Sequence, residues 1–336
     1  MNLTNHQFRL AARPVGMPKS SDWNYAEEPV REPGGGEFLV KVLQISLDPA
    51  MRGWMSPMRS YMPPVGIGEV MRALAAGRVV ESKNPNFTVG DHVYGALGVQ
   101  EYAMSNGQGV SKIDTRLAPL PKYLSVLGMP GMTAYFGFLD TGAPQPGNTV
   151  VVSAAAGAVG SVVGQIAKIK GGRAVGIAGG AEKCRYITGE LGFDAAIDYK
   201  SEDVSLGLRK HCPQGIDVYF DNVGGDILDV VLTQINLGAR IVICGGISQY
   251  NNTGPVKGPS NYLSLLVKRA TMKGMLVTDF MDRYAQAARE MAGWMAAGKL
   301  KSREDIVEGL QNFPEALIKL FTGENFGKLI LKVAES

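Results

Sequence analysis

Apolar positions fall into two rhythms along the 336 residues. In roughly the first 120, short extended runs of β-branched and aliphatic residues stand between Gly, Pro, Asn and Asp. "HQFRLAARP", "EFLVKVLQISLDP", "RALAAGRVVES" and "GDHVYGALGVQEYAM" are such runs, and they predict a β-rich domain. From Lys122 to Leu139 the pattern turns helical. Beyond it, short apolar strands alternate with helices: "NTVVVSA", then "AVGSVVGQIAKIK" closed by Gly171-Gly172, "RAVGIAG", "AEKCRYITGEL" closed by Gly192, "AAIDY", "SEDVSLGLRKHC", "IDVYFDN", "DILDVVLTQI", "ARIVICGG" and "RATMKGMLV". Near-continuous apolar strands at this spacing predict a doubly wound parallel sheet covered on both faces, an α/β domain. A long helix is expected over Phe280 to Ala297. A last strand, "GKLILKV" from Gly327 to Val333, has no helix after it and is expected to return to the first domain.

One loop in this pattern carries chemistry. Set against G-x-G-x-x-G, residues 155–160 read Ala155-Ala156-Gly157-Ala158-Val159-Gly160. The first glycine is replaced. The second allows close backbone approach to a pyrophosphate, and the third allows tight helix–strand packing. Strand before and helix after make this a dinucleotide-binding turn, with helix N-terminal amides facing the phosphates. The alternative is a plain turn that binds nothing. An NAD-type loop has an acid about 20 residues on, at the end of the second strand. Here that strand ends "GIAGG" (Gly176 to Gly180), followed by Lys183 and Arg185. Missing acid and added cations favour a 2′-phosphate, so NADP(H) is expected over NAD(H). The competing reading makes both cations solvated helix residues.

Composition narrows the class. The chain is 45% hydrophobic and 19% charged, with a formal net charge of +3 and scattered Lys and Arg. Nothing in this points to nucleic acid or a membrane surface. No apolar run reaches the roughly 20 residues of a membrane span. The N-terminus lacks a signal-peptide pattern, so a cytoplasmic location is expected. The three cysteines, Cys184, Cys212 and Cys244, form no CxxC, which argues against a disulfide framework or a cysteine zinc site. His6 and His92 are the histidines of the β-rich part. They do not make a ligand set, and no metal is expected. Cys244 ends an apolar strand and reads as inert.

Taken together, "LDPAMRGWM", "VLGMPGMTAY", "AAAGAVGSVVGQIAK", "GGAEKCRYI", "YFDNVGG", "CGGISQYN" and "GENFGKLILKV" resemble the zinc-independent medium-chain dehydrogenase/reductases. The closest branch is the NADPH-dependent double-bond reductases, and the resemblance runs over nearly the whole chain. It implies a GroES-like β-rich catalytic domain, residues 1–124 and 299–336, with a Rossmann cofactor domain, residues 125–298, inserted between them. It implies a homodimer paired through the edge of the cofactor domain, with "MKGMLV" as the candidate strand. It assigns Ala158, Val159, Gly160 and Ser161 to the pyrophosphate, and Lys183 and Tyr199 to the 2′-phosphate. Asn222 approaches the cofactor at a strand end. Cys244, Gly245, Gly246, Ile247, Ser248 and Tyr250 belong to a loop along the nicotinamide-ribose side. Met275, Leu276 and Val277 lie beside the nicotinamide, and Asn325 reaches it from the C-terminal segment.

Without a metal, the remaining chemistry is hydride transfer from the cofactor. An α,β-unsaturated aldehyde or ketone suits it: hydride goes to the β-carbon, and a donor stabilises the oxyanion that develops. Tyr250 and Tyr61 are the candidate donors. Tyr250 holds either the nicotinamide ribose or the substrate oxygen. Tyr61, in "RSYMPP", lies where the family places its substrate pocket; the plain alternative is packing on Pro63 and Pro64. Trp54, Met55, Met58 and Met62 around that loop either line an adaptable pocket or pack the core. The leading expectation is an enal or enone reductase. A quinone oxidoreductase of the same superfamily and a non-catalytic NADPH-binding protein are the alternatives.

Overall fold

The computed structural model describes residues 3–58 and 60–335. The chain divides into two compact units, residues 1–124 with 304–336, and residues 125–303.

Unit 1 opens with β1 (Thr4–Leu10) and β2 (Trp23–Pro29), an antiparallel pair. Next come β3 (Phe38–Ser46), the short helix α1 (Ala50–Trp54), β4 (Ala75–Ser82), β5 (His92–Gly95), β6 (Tyr102–Ser105), β7 (Val110–Ile113) and α2 (Leu120–Leu124). The apolar runs form β1 and β3 to β6, as their composition predicts. β2 has an exposed, charged face and carried no such signal. His92 begins β5 and pairs with Arg78 and Ile113 across the ladder, a structural position.

Unit 2 begins with α3 (Met129–Phe136), β8 (Thr149–Ser153), α4 (Gly160–Ile169), β9 (Arg173–Ala178), α5 (Ala181–Gly189), β10 (Ala195–Asp198) and α6 (Val204–His211). Then follow β11 (Ile216–Asp221), α7 (Gly225–Leu232), β12 (Ile235–Ile243), α8 (Leu263–Lys268), β13 (Thr271–Gly274) and α9 (Tyr284–Ala296). The sheet is parallel, in the order β10-β9-β8-β11-β12-β13. Counted from β8 this is 3-2-1-4-5-6, the doubly wound order that binds dinucleotides where the winding reverses. The reversal lies between β8 and β11. Both strands are fully apolar inside: Val150, Val151, Val152, Val218, Tyr219 and Phe220 are buried. Such burial contributes about 1.5–3 kcal/mol per large side chain.

Two helices differ from the sequence expectation. The stretch from Lys122 to Leu139 is broken, because Gly128 and Pro130 start a new helix at α3 and Gly131 packs directly on the Val126 carbonyl. The expected helix over Phe280 to Ala297 starts at Tyr284. A 3-10 turn, Val277–Arg283, precedes it, with Phe280 outside helical geometry. Phe280 instead stacks on Phe136, ring centroids 4.9 Å apart.

The chain returns to unit 1 through β14 (Glu304–Glu308), α10 (Phe313–Thr322) and β15 (Lys328–Lys332). Residues 299–303, grouped with the first domain on sequence, pack in unit 2. There Gln165 on α4 exchanges two hydrogen bonds with the Lys301 backbone, at 2.8 and 2.9 Å. β15 pairs antiparallel with β3, giving the sheet order β14-β15-β3-β4-β5-β7 with β6 also on β3. Phe313 and Leu317 of α10 complete the core beneath β1 and β2, with Phe313 packed on Phe8 and Trp23. The returning strand is pinned by a buried ion pair. Lys328 Nζ donates to Asp48 Oδ1 at 2.7 Å and to the Leu47 carbonyl at 2.6 Å, while Ser46 Oγ donates to Asp48 Oδ2. Burial pushes the Lys328 ammonium below its ordinary pKa, and Asp48 opposes that shift.

Candidate active site

The turn after β8 is built by backbone contacts. Ala154, not a glycine, takes the left-handed conformation (φ 49°), and Ala155 keeps an ordinary one. The left-handed step of the turn thus falls on Ala154, and Ala155, at the usual first-glycine position, does not itself need a glycine. The Ala154 carbonyl accepts from Gly157 N at 2.9 Å. A Cβ on Gly157 would lie 3.1 Å from that carbonyl oxygen, and one on Gly160 would run into it. The two retained glycines thus keep the turn close to the strand. α4 starts at Gly160, with Ser161 buried in its first turn. Within that turn Ser161 N donates to the Gly157 carbonyl at 3.1 Å, and Val162 N and Val163 N donate to that of Val159 at 3.1 and 3.0 Å; the turn carries the positive end of the helix dipole. The turn at Ala158 to Ser161 thus sets the positive end of a helix at the end of β8, a position suited to an anion.

At the end of β9 come Ala178, Gly179 and Gly180, and Gly180 has φ 101°. Lys183 stands in the first turn of α5. Tyr199, 45% exposed, follows β10 and covers Gly179: a Cβ there would lie 2.8 Å from the phenol oxygen. One acid that sequence reasoning missed is brought here from β10. Asp198 Oδ1 accepts from Gly180 N at 2.7 Å and Lys200 N at 3.1 Å. These amide bonds, first that of Gly180, hold its carboxyl below the usual range. Asp198 shapes the turn into α5 rather than replacing the acid absent from β9.

The reversal point itself is organised by Asp221, also missed on sequence. It is fully buried at the end of β11. Its Oδ1 accepts from Tyr219 Oη (2.8 Å), Ser153 Oγ (3.0 Å), Val223 N and Gly224 N (2.9 Å each). Ser153 Oγ in turn accepts from Asn222 N, and Asn222 Nδ2 donates to the Ser153 carbonyl at 2.8 Å. Asn222 is thereby fixed between β8 and β11. Burial beside Asp221 raises the Tyr219 phenol well above its ordinary pKa, so it stays a neutral donor.

The loop after β12 is fastened to this turn. Cys244 N and Gly245 N donate to the Asp221 carbonyl, Ile247 N to that of Asn222, and Ser248 N and Oγ to that of Val223. Tyr250 folds back on its own loop, and its hydroxyl accepts from Gly246 N at 3.1 Å. Burial and Asp221 push the Cys244 thiol up to about 12, so it is no thiolate at neutral pH. Met275 N donates to the Ile243 carbonyl, and its side chain lies beside Gly137. Leu276 is half-buried, and Val277 is buried with its carbonyl held by Tyr284 Oη. One sheet end of unit 2 therefore gathers residues 157–161, Asn222, residues 244–250 and Met275.

The remaining candidates belong to unit 1. Asn325 Nδ2 donates to the Gly327 carbonyl at 3.1 Å. Tyr61 is 55% exposed, and its hydroxyl accepts from Trp54 Nε1 at 3.1 Å. Met55 is core, Met62 packs against the core, and Met58 is exposed. Among the described residues, no group of three or more His, Cys, Asp or Glu side chains could hold a metal ion.

Residues 6–113 match the family described as the N-terminal domain of oxidoreductase, and residues 158–293 the one described as zinc-binding dehydrogenase. The chain is 45% identical over 335 residues to the NADPH-dependent curcumin reductase of Escherichia coli, covering 98% of this chain and 97% of that protein. It belongs to the medium-chain dehydrogenase/reductases, in their zinc-independent double-bond reductase branch. The 2-alkenal reductase (NADP(+)-dependent) of Nicotiana tabacum is 40% identical over 338 residues, 99% of this chain and 98% of its own. A crystal structure of CurA in complex with NADPH from Vibrio vulnificus has a TM-score of 0.94 at 44% identity. That match covers 98% of this chain and all of that one.

Proposed function

We propose that this oxidoreductase uses NADPH to reduce the C=C bond of α,β-unsaturated aldehydes and ketones. The observation that carries the cofactor is the end of β9: Ala178-Gly179-Gly180 offers no acid for a ribose diol, while Lys183 and Tyr199 flank the turn. The glycine cradle after β8 fits a pyrophosphate, since side chains at Gly157 and Gly160 would crowd the turn. Curcumin and 2-alkenal reductases as relatives support the substrate class.

In this reading the loop Ala158 to Ser161 would hold the pyrophosphate, and Lys183 with Tyr199 the 2′-phosphate. Asn222 and residues 244–250 position the nicotinamide ribose. Met275 to Val277 would bound the nicotinamide. When bound, the cofactor supplies a hydride to the substrate β-carbon. Tyr61 or Tyr250 would donate from its phenol hydroxyl to the carbonyl oxygen, where negative charge develops. Water or a nearby hydroxyl returns a proton to the α-carbon.

We also assign a cytoplasmic location, supported by three free cysteines, and a homodimer. β13 is an exposed sheet edge, and Leu266 and Val267 on α8 expose apolar side chains. An unpaired edge of this kind is a template for a second copy. Sedimentation should give a dimer at assay concentrations; a monomer removes this part.

The activity test follows loss of reduced-nicotinamide absorbance with NADPH or NADH and 2-nonenal, a conjugated aryl enone or a quinone. Turnover of the enones with NADPH is expected. Turnover of the quinone alone moves the chain to the quinone oxidoreductases. No turnover despite tight NADPH binding leaves a binding protein.

A further inference from the structure

We infer that Trp54 is a positioning residue for Tyr61, and that Arg72 holds the two in register. This rests on the reading of Tyr61 as a donor to the substrate carbonyl.

Tyr61 sits on an exposed loop, where an aromatic side chain ordinarily samples several rotamers. Trp54 is its opposite: the last residue of α1, only 6% exposed and part of the unit 1 core. An indole N–H only donates. The 3.1 Å contact therefore has one direction, from Trp54 Nε1 to the Tyr61 oxygen. The phenol hydrogen cannot be returned to Trp54, so it is turned to another acceptor. A hydroxyl that already accepts a hydrogen bond is also polarised and donates more strongly. A buried group thus fixes an exposed one as a donor of defined orientation.

The loop around it is tied down by contacts to the same tryptophan. Val65 N donates to the Trp54 carbonyl at 2.8 Å. Arg72 places its guanidinium over the Trp54 ring, 5.7 Å from the centroid, and donates from Nη1 to the Pro63 carbonyl at 2.9 Å. Arg13 Nη1 donates to the Met55 carbonyl. The far end of the loop, through Pro63 and Val65, and its phenol therefore refer to Trp54. Pre-ordering a donor in this way raises turnover without adding a substrate contact.

The test is a double-mutant cycle on the full chain, with one enone and saturating NADPH. W54F and Y61F should each lower kcat by about three- to tenfold, the range of one neutral hydrogen bond. The double variant should be no slower than Y61F, and NADPH affinity should be unchanged in all three. R72M, which keeps the aliphatic stem, should lower kcat by a smaller factor that also vanishes in the Y61F background. If W54F slows Y61F as much as it slows the wild type, Trp54 acts independently and the inference fails, while Tyr61 keeps its role. If Y61F turns over at the wild-type rate, the Tyr61 reading fails and the inference with it. Should W54F not fold, the R72M and Y61F cycle decides by the same criterion: an additive result overturns it.

Discussion

The two units build their candidate sites from different materials. At the reversal point of unit 2, nearly every contact is to a main-chain group. Amides of residues 223, 224, 244, 245, 247 and 248 are fastened by Asp221 or by carbonyls of the neighbouring turn. In unit 1, the loop that carries Tyr61 is held largely by side chains, the Trp54 indole and the Arg72 guanidinium, beside the backbone bond from Val65 N to the Trp54 carbonyl. Backbone construction serves a ligand common to many enzymes. Side-chain construction lets such a loop change without disturbing the fold that supports it.

The largest expected effect lies in the side-chain-built unit. Asp48→Ala strands the Lys328 ammonium in the core, and losing one partner of a buried pair costs about 3–5 kcal/mol. Denaturant melts should show unit 1 destabilised by that order. A loss under about 1 kcal/mol would mean that the pair does not pin β15.

The backbone-built site should break at a glycine. In Gly160→Val the new side chain meets the Ala154 carbonyl, which cannot swing away as a side chain could. Overpacking of this kind costs about 1–3 kcal/mol. Fluorescence titration should show NADPH affinity falling by up to about 100-fold. Unaltered affinity would show that the turn is not the cradle.

Lys183→Ala separates the cofactors. A hydrogen bond to a charged group is worth about 1.5–3 kcal/mol, so KM for NADPH should rise about 10- to 100-fold. KM for NADH should hardly move. An equal change for both would return Lys183 to the solvated helix surface.

The smallest effect is a pH dependence in unit 1. His6 Nδ1 donates to Glu101 Oε2 at 2.6 Å, and that hydrogen bond, against some desolvation, raises its pKa above 6.5. A raised histidine pKa stabilises the fold fully below 6.5, and the gain is lost as pH rises through the folded value. The pair is partly exposed, so the difference is under about 1 kcal/mol. Wild type should lose stability relative to His6→Gln as pH rises above 6.5; parallel curves would remove the tether.

The same contrast explains what could be read from the sequence. Glycine spacing announced the loop at 155–160, because a close approach between main-chain atoms leaves its mark in the residues themselves. The strand–helix alternation of unit 2 was equally legible, since buried parallel strands are continuous apolar runs. Asp221 and Asp198 were not, although both stand at strand ends. What marks them is a set of amides and hydroxyls from other turns, which no local pattern encodes. β14 alternates poorly and is partly exposed. α10 does show buried Phe313, Ala316, Leu317 and Leu320 at helical spacing, a signal that was present and overlooked. The Trp54–Tyr61 bond spans seven residues of irregular loop, and spacing alone cannot reveal it.

The most direct measurement of the central claim uses NADPH deuterated at its transferable hydrogen, with 2-nonenal as substrate and mass spectrometry of the product. The product should be saturated nonanal carrying one deuterium on the β-carbon. Deuterium on the carbinol carbon of an allylic alcohol, with the double bond intact, would contradict it.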